Sequence, residues 1–239
     1  MITLYQFYRT WGLPSASPFC MKVETYLRMA NLPYETKFIN NPQQAPKGKL
    51  PYIQIDGVNY PDSELIIDEL KKRYGDALDK DLTEEQRALA VLLDNTFCER
   101  MYWVVVYMRW QNDAGWAVVK EGYFGKLPAL PKLFVPSMIR KKMLKALYLQ
   151  GNGRHSTEEI IRLGCKTMDA LACILGDKPY FLGDKPTSID ATSFAFIANT
   201  LMSPINDALK QHALQFDTVT AYCSRMWDEY YADFPKSAM

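Results

Sequence analysis

The hydrophobic pattern of the chain changes near residue 76, and this change restricts the folds that the chain can adopt. Before that point, short apolar runs typical of β-strands alternate with helical patterns, as expected for an α/β unit. After the polar stretch GDALDKDLT, the pattern is helical only. The sequence therefore predicts an α/β arrangement of strands and helices over residues 1–76, a linker over 76–83 and an all-helical domain over 83–239.

The α/β part begins with a strand, a helix and a second strand. ITLYQFY predicts the first strand and TKFI predicts the second. Between them, apolar residues recur at helical spacing from Pro18 to Ala30, which predicts an amphipathic helix. Lys22, Glu24 and Arg28 fall on its other side, where we expect them to face solvent.

A β-hairpin and a closing helix complete this part of the chain. YIQID and VNY flank Asp56-Gly57, a pair that strongly favours a two-residue hairpin turn. The segment from Ser63 to Tyr74 then predicts a helix. Its buried side is expected to carry Leu65, Ile66 and Leu70.

Capping signals mark helices in the second part of the chain. Thr83 with Gln86 forms a capping box, so a long helix is expected to begin there. A similar signal precedes two later helices, at Ser156 with Glu159 and at Thr187 with Asp190. The first of these three helices is expected to direct four residues inward: Ala88, Val91, Leu92 and Asn95.

Composition and charge exclude several classes of function. A net charge of +1 gives no long-range attraction for nucleic acid, so partners depend on local sites. Five widely spaced cysteines without a CxxC pair indicate reduced thiols, and two histidines argue against a histidine metal site or a Ser/His/Asp triad. The start of the sequence lacks a secretory pattern, and no apolar run of about 18 residues is present. We therefore expect a cytoplasmic protein without a transmembrane segment.

The motif Ser17-Pro18-Phe19-Cys20 follows the first predicted strand and opens the first helix. Serine at an N-cap and proline at the first helical position are ordinary helix-start residues, so the motif can be purely structural. It can also bind an anion, because the Ser17 hydroxyl and the first-turn amides would face that anion at the positive end of the helix dipole. A bound thiolate would suit this place, since both features lower the pKa of a thiol.

Cys20 occupies the position of the second cysteine in thioredoxin-type redox enzymes. Because Ser17 replaces the first cysteine, a dithiol mechanism is excluded. Free cysteine is among the most buried residue types, so packing is favoured over a nucleophilic role for Cys20.

Two further motifs lie before the predicted hairpin and after it. Lys49-Leu50-Pro51-Tyr52-Ile53 can be simply a loop that ends in a strand. Alternatively, a cis bond before Pro51 would turn the backbone N–H and C=O of Leu50 outward as a free edge for an extended peptide. Asp62 and Ser63 at the start of the closing helix are either simple caps or groups that bind an amine and a carboxylate. A peptide with a thiol and a free α-amino acid end would satisfy all three places.

The ordered set of these motifs resembles the N-terminal domain of glutathione transferases. The segment FLGDKPTSIDA is similar to the capping box and staple of that family's helical domain, where the aspartate, here Asp190, is a folding determinant. Together with SPFCMKVETYLRMANLPYE and GNGRHSTEEI, these segments look most like the failed-axon-connections and metaxin-related branch of the superfamily.

The resemblance implies a thioredoxin-like glutathione-binding domain over 1–76, followed by an all-α helical-bundle domain over 83–239. It also implies glutathione as co-substrate for a small hydrophobic electrophile. It implies that the Ser17 hydroxyl stabilises the thiolate, with Tyr8 as the rival position. It gives Leu50 the backbone contact to the cysteine of glutathione and makes Pro51 the cis-proline. Asp62 with Ser63 would bind the γ-glutamyl end and Lys49 the glycine carboxylate. It also implies a homodimer.

The chain departs from the ordinary family pattern between Trp110 and Arg154. This stretch combines aromatic residues, three prolines and the basic run Arg140-Lys141-Lys142 with Lys145. One interpretation is an extended helical hairpin with a solvated basic face. The other is an aromatic lid over the electrophile site, or a basic surface for a membrane or protein partner.

Three functions therefore remain open from the sequence. The first is conjugation of glutathione to a small apolar electrophile, favoured by Ser17, Asp62 and Ser63. The second is a non-catalytic metaxin-like adaptor or membrane-surface binding protein, favoured by the aromatic and basic stretch. The third is thiol oxidoreduction through Cys20, which the serine at position 17 disfavours.

Overall fold

A four-stranded mixed sheet forms the first part of the chain in the computed structural model, which describes residues 1–235. The strands are β1 (Ile2–Gln6), β2 (Tyr34–Phe38), β3 (Tyr52–Ile55) and β4 (Val58–Pro61), and the helices beside them are α1 (Pro18–Met29) and α2 (Ser63–Tyr74). The strand order is β2-β1-β3-β4, with β1 parallel to β2 and the other pairs antiparallel. This is the predicted thioredoxin-like arrangement, although β2 begins two residues before the predicted TKFI strand.

The hairpin between β3 and β4 forms where the sequence predicted it. Asp56 and Gly57 have φ angles of 52° and 82°, which are the left-handed values that a two-residue hairpin turn of this type requires. The turn fixes the register, with Ile55 opposite Val58 and Tyr52 opposite Pro61.

Beyond α2, the described chain is built of helices joined by turns and loops, and the thioredoxin-like plus helical fold is confirmed. They are α3 (Glu84–Asn95), α4 (Tyr102–Val106), α5 (Asp113–Phe124), α6 (Ala129–Gln150), α7 (Thr157–Leu175), α8 (Ser188–Leu201), α9 (Ala208–Ala213) and α10 (Asp217–Tyr230). The predicted capping boxes are present at the starts of α3, α7 and α8. The domain division at 1–76 and 83–239 stays a prediction.

The predicted inward face of α3 is wrong. Val91 and Leu92 are exposed, as are Ala88 and Asn95. The helix carries a second apolar stripe, in which Leu93 is buried and Leu89 and Ala90 pack on the core. Two competing stripes on one helix cannot be ranked by spacing alone, because only the tertiary fold decides which one is covered.

The predicted solvent-facing side of α1 is also wrong for two of its residues. Lys22 and Glu24 are buried because α1 packs between the sheet and the helical part, where α8 covers its outer side. Their charges are compensated: Lys22 Nζ lies 2.6 Å from Asp94 Oδ1, and Glu24 accepts a 2.6 Å hydrogen bond from Gln6. A similar correction applies to α2, where Ile66 and Leu70 are buried as predicted but Leu65 is exposed.

The linker between the two parts carries a buried carboxylate. Asp79 accepts hydrogen bonds from the ammonium of Lys71 on α2 and from the hydroxyl and amide of Ser188 at the start of α8. Burial alone would raise the pKa of Asp79, but these donors outweigh it and hold the pKa below its ordinary value of 3.8. Asp79 therefore joins the last helix of the α/β part to the helical part.

Candidate functional site

Ser17 caps the N-terminus of α1, immediately after the loop that leaves β1. Its hydroxyl oxygen accepts a 3.4 Å hydrogen bond from the Cys20 amide, and its own amide donates 3.2 Å to the Ser15 hydroxyl. Pro18 is the first helical residue, as the sequence predicted. Ser17 is partly exposed, so its hydroxyl lies at the positive end of the helix and within reach of a ligand.

Cys20 is packed inside the first turn of the same helix. It is fully buried, and burial raises the pKa of its thiol to about 11, although the Ser17 hydroxyl acts in the opposite direction. Nucleophilic cysteines need a lowered pKa and partial exposure. The geometry therefore favours packing over chemistry at Cys20.

The Leu50–Pro51 segment lies beside this helix start. The peptide bond between the two residues is cis. Leu50 belongs to the same small apolar cluster as Cys20 and Tyr52, and the Tyr52 ring stacks on Tyr5 of β1 with centroids 4.3 Å apart. The structure thus brings the first two predicted motifs together, while Lys49 is exposed on the preceding loop.

Asp62 and Ser63 occupy the start of α2. Asp62 has a positive φ of 82° and caps the helix, accepting hydrogen bonds from the amides of Glu64 (3.1 Å) and Leu65 (3.5 Å). Residues other than glycine adopt this backbone conformation at a cost, and such residues cluster at functional sites. Ser63 is buried as the first residue of the helix. Both interpretations from the sequence, cap and ligand site, remain compatible with this arrangement.

Tyr8, the rival to Ser17, lies on the side of β1 that faces β2. Its ring stacks on Phe38 of β2 with centroids 5.2 Å apart. Strand β2 flanks β1 on the side opposite β3. This places Tyr8 away from the Leu50–Pro51 segment, which leads into β3, and favours Ser17.

Arg109 is a residue of this region that the sequence reasoning missed. It is buried, and its guanidinium donates hydrogen bonds to the Ala16 carbonyl (2.5 Å) and to the Asn199 side-chain oxygen (2.9 Å). It also lies over the Trp11 ring at 5.2 Å. The one signal in the sequence was a lone arginine in the apolar run MYWVVVYMRW, because a buried charge needs compensating partners.

Helix α5 covers the loop that precedes Ser17. The Tyr123 ring stacks on Trp11 with centroids 5.0 Å apart, and the Thr10 hydroxyl donates 3.3 Å to the Gly122 carbonyl. A Cβ at Gly122 would lie 2.2 Å from Trp11 Nε1, so this close approach requires glycine. The aromatic half of the Trp110–Arg154 stretch is therefore packed against the candidate site.

Trp110, Trp116 and Phe124 extend this aromatic group around Tyr123. Phe134 does not join it and is exposed. Within residues 1–235, no helix combines the length and the apolar character needed to cross a bilayer.

The fold places the chain in the class of proteins that join a thioredoxin-like sheet to a helical part. The model of the glutathione S-transferase N-terminal domain matches residues 18–115, and that of the C-terminal domain matches residues 164–226. An isoprene-epoxide glutathione S-transferase of Rhodococcus sp. (strain AD45) is 36% identical over 210 residues, which cover 85% of this chain and 88% of that protein. The chain belongs to the glutathione transferase family.

Two other relatives lie in the branch that the sequence indicated. Failed axon connections of Drosophila melanogaster is 33% identical over 98% of this chain, and human metaxin-1 is 27% identical over 92%. The chain spans only 59% and 49% of those proteins. Among solved structures, beta-etherase LigF from Sphingobium sp. strain SYK-6 has a TM-score of 0.66 at 18% identity, covering 95% of this chain and 94% of that one.

Proposed function

We propose that this protein is a glutathione transferase that joins the sulfur of glutathione to a small apolar electrophile. The observation that carries the proposal is the position of Ser17 at the N-terminus of α1, whose first turn packs with Leu50 through Cys20. The Ser17 oxygen accepts from the Cys20 amide, and its O–H would donate to the bound thiolate. That donor and the helix dipole together lower the pKa of the glutathione thiol.

The remaining predicted residues hold the peptide. Leu50 offers its backbone to the cysteine of glutathione, and Asp62 with Ser63 binds the γ-glutamyl end. Lys49 pairs with the glycine carboxylate. Because the thiolate is the nucleophile, the protein contributes binding, orientation and charge stabilisation rather than a covalent intermediate. The name of the Rhodococcus relative makes an epoxide the first electrophile to test.

The test separates the hydroxyl of Ser17 from the thiol of Cys20. Ser17→Ala should slow conjugation near neutral pH and partly recover at higher pH, because the thiol pKa rises when its donor is lost. Cys20→Ala is the matched control and should stay within a small factor of the wild type. Ser17→Cys should lose conjugation activity and gain thiol–disulfide exchange with glutathione. Full activity of Ser17→Ala at every pH, with loss in Cys20→Ala, would refute the assignment.

Binding is tested apart from chemistry. Ser63→Ala should weaken glutathione binding at least about tenfold in calorimetry, since a hydrogen bond to a charged group contributes about 1.5–3 kcal/mol. Unchanged affinity would remove Ser63 from the site.

A second candidate is a non-catalytic adaptor. It is favoured by similarity along nearly the whole chain to Failed axon connections and metaxin-1, whose names specify no reaction. Retention on immobilised glutathione, followed by turnover of an epoxide, distinguishes the two functions. We extend the transferase proposal to a cytoplasmic homodimer, which light scattering and cell fractionation would test.

A further inference from the structure

Helix α6 exposes an unusual number of large apolar side chains. Leu130, Leu133, Phe134 and Met138 are 75%, 79%, 59% and 58% exposed. Their spacing of three, four and eight residues places them on one face of the helix. Soluble proteins rarely leave such a group uncovered unless it forms an interaction site.

The opposite face of α6 is held firmly against the protein. Pro136 and Leu147 are buried, and Arg140 donates 2.9 Å to the Trp110 carbonyl and forms a 2.6 Å ion pair with Asp113. The exposed apolar residues therefore belong to a docked helix with two distinct sides.

The stretch around this face is strongly basic. No acidic residue occurs between residues 122 and 157, and this range contains seven lysines and arginines. The whole chain has a net charge of +1, so the remaining residues carry a net charge of −6. Lys141, Lys142 and Lys145 are exposed on the face that carries the apolar residues, one turn further along the helix. Tyr148 and Leu149 are exposed beyond them.

We propose that this face of α6, which we call the α6 surface (Leu130, Leu133, Phe134, Met138, Lys141, Lys142 and Lys145), binds an anionic lipid bilayer surface. Apolar side chains beside lysines are the pattern of helices that lie in the plane of a membrane interface. The apolar residues enter the boundary of the acyl chains, and the lysines contact the negative headgroups.

Charge and apolarity together select this partner. A second copy of the chain that paired through the same face would offer these lysines no carboxylate, because residues 122–157 contain none. A nucleic acid would satisfy the lysines but leave four large apolar side chains in water. The proposal does not depend on glutathione chemistry, because the α6 surface uses none of the predicted glutathione-binding residues.

The experiment is co-flotation of the full chain with phosphatidylcholine vesicles, with and without phosphatidylserine. The wild type should float with the anionic vesicles, and added salt should weaken the binding. A Lys141→Gln, Lys142→Gln, Lys145→Gln triple variant should bind about a hundredfold more weakly, since each lysine near the surface contributes about fivefold. A Leu133→Ser, Phe134→Ser double variant should bind the anionic vesicles at least about tenfold more weakly.

Two control variants remove the same kinds of side chain at positions outside the α6 surface. Lys72→Gln, Lys166→Gln, Lys185→Gln removes three other exposed lysines, and Val91→Ser, Leu92→Ser removes two other exposed apolar residues. Both controls should bind anionic vesicles like the wild type. Hydrogen exchange of the wild-type protein gives a readout without substitutions, and vesicles should protect residues 126–150.

Three results would overturn the proposal. The first is a wild type that stays with the soluble fraction in the presence of anionic vesicles. The second is vesicle binding that the Leu133→Ser, Phe134→Ser variant retains in full, which would indicate a purely electrostatic surface. The third is a wild-type oligomer that dissociates in that variant while vesicle binding is unchanged, which would assign the face to a second copy of the chain.

Discussion

The guanidinium of Arg109 donates a 2.5 Å hydrogen bond to the carbonyl oxygen of Ala16, the residue before Ser17. Its other hydrogen bonds go to Asn199 on α8 and to the Tyr123 hydroxyl on α5. All of these acceptors are uncharged. Arg109 therefore brings a buried positive charge into contact with Ala16, the residue before the candidate catalytic Ser17. Arg109 thus positions the Ser17 loop from the helical part of the chain.

Replacing Arg109 by methionine should lower the free energy of unfolding by about 2–3 kcal/mol, because charged hydrogen bonds contribute about 1.5–3 kcal/mol and their acceptors stay buried. Urea unfolding measures this loss. Arg109→Lys keeps the charge but has fewer hydrogen-bond donors, so its free energy of unfolding should fall by less than that of Arg109→Met.

The pH profile of conjugation provides a second readout for the same pair of variants. Arg109→Met should shift the apparent pKa of the glutathione thiol upward, because a nearby positive charge favours the thiolate. Arg109→Lys should shift it less. Equal profiles for wild type and Arg109→Met would limit Arg109 to a structural role.

Gly122→Ala should force Trp11 away from α5. The new Cβ would lie 2.2 Å from Trp11 Nε1, and such overpacking costs about 1–3 kcal/mol. The thermal midpoint should fall, although alanine favours a helix more than glycine does. Lys120→Ala, an exposed change on the same helix, is the control. A Gly122→Ala protein as stable as the wild type would show that α5 does not hold this close contact.

Asp190→Ala should be strongly destabilising. Asp190 is fully buried and accepts hydrogen bonds from the Phe181 amide (3.0 Å), the Thr187 amide and hydroxyl (both 2.9 Å) and the Tyr222 hydroxyl (3.1 Å). A buried donor left without a partner costs about 1–3 kcal/mol, so a total loss above about 3 kcal/mol is expected in urea unfolding. Full stability with lost turnover would instead make Asp190 a residue of the reaction.

The acid side of the stability curve should depend on Asp79. Its folded pKa is lowered below the ordinary value of 3.8, so its contribution is present above pH 3.8 and is lost as the pH falls through the folded value. Asp79→Asn should remove this contribution. The difference in unfolding free energy between wild type and Asp79→Asn should therefore shrink on acidification below pH 3.8. A constant difference would contradict the linkage.

Local chemistry explains which parts of the fold were predictable. The Asp56-Gly57 hairpin and the capping boxes that begin with Thr83, Ser156 and Thr187 depend on residues a few positions apart. Such signals act before any tertiary contact forms, so the sequence displays them directly.

The missed features depend on contacts across the chain. Arg109 bonds to groups 93 and 90 residues away, and spacing in the sequence carries no record of such pairs. For the same reason, spacing predicts the wrong side for Leu92, which is exposed, and for Glu24, which is buried. The predicted glutathione contacts of Ser17, Leu50 and Ser63 stay predictions, although Leu50 shares a buried cluster with Cys20, three residues after Ser17.

The buried Lys22 on α1 also limits which helical parts of related proteins can be joined to the first part of this chain. Lys22 is paired with Asp94, and that carboxylate also accepts a 2.7 Å hydrogen bond from the Thr192 hydroxyl. A chimera that joins residues 1–76 of this chain to a foreign helical part would bury the Lys22 ammonium against whatever that part supplies. An unpaired buried ammonium is costly, so the two halves are exchangeable only when lysine and carboxylate are inherited together.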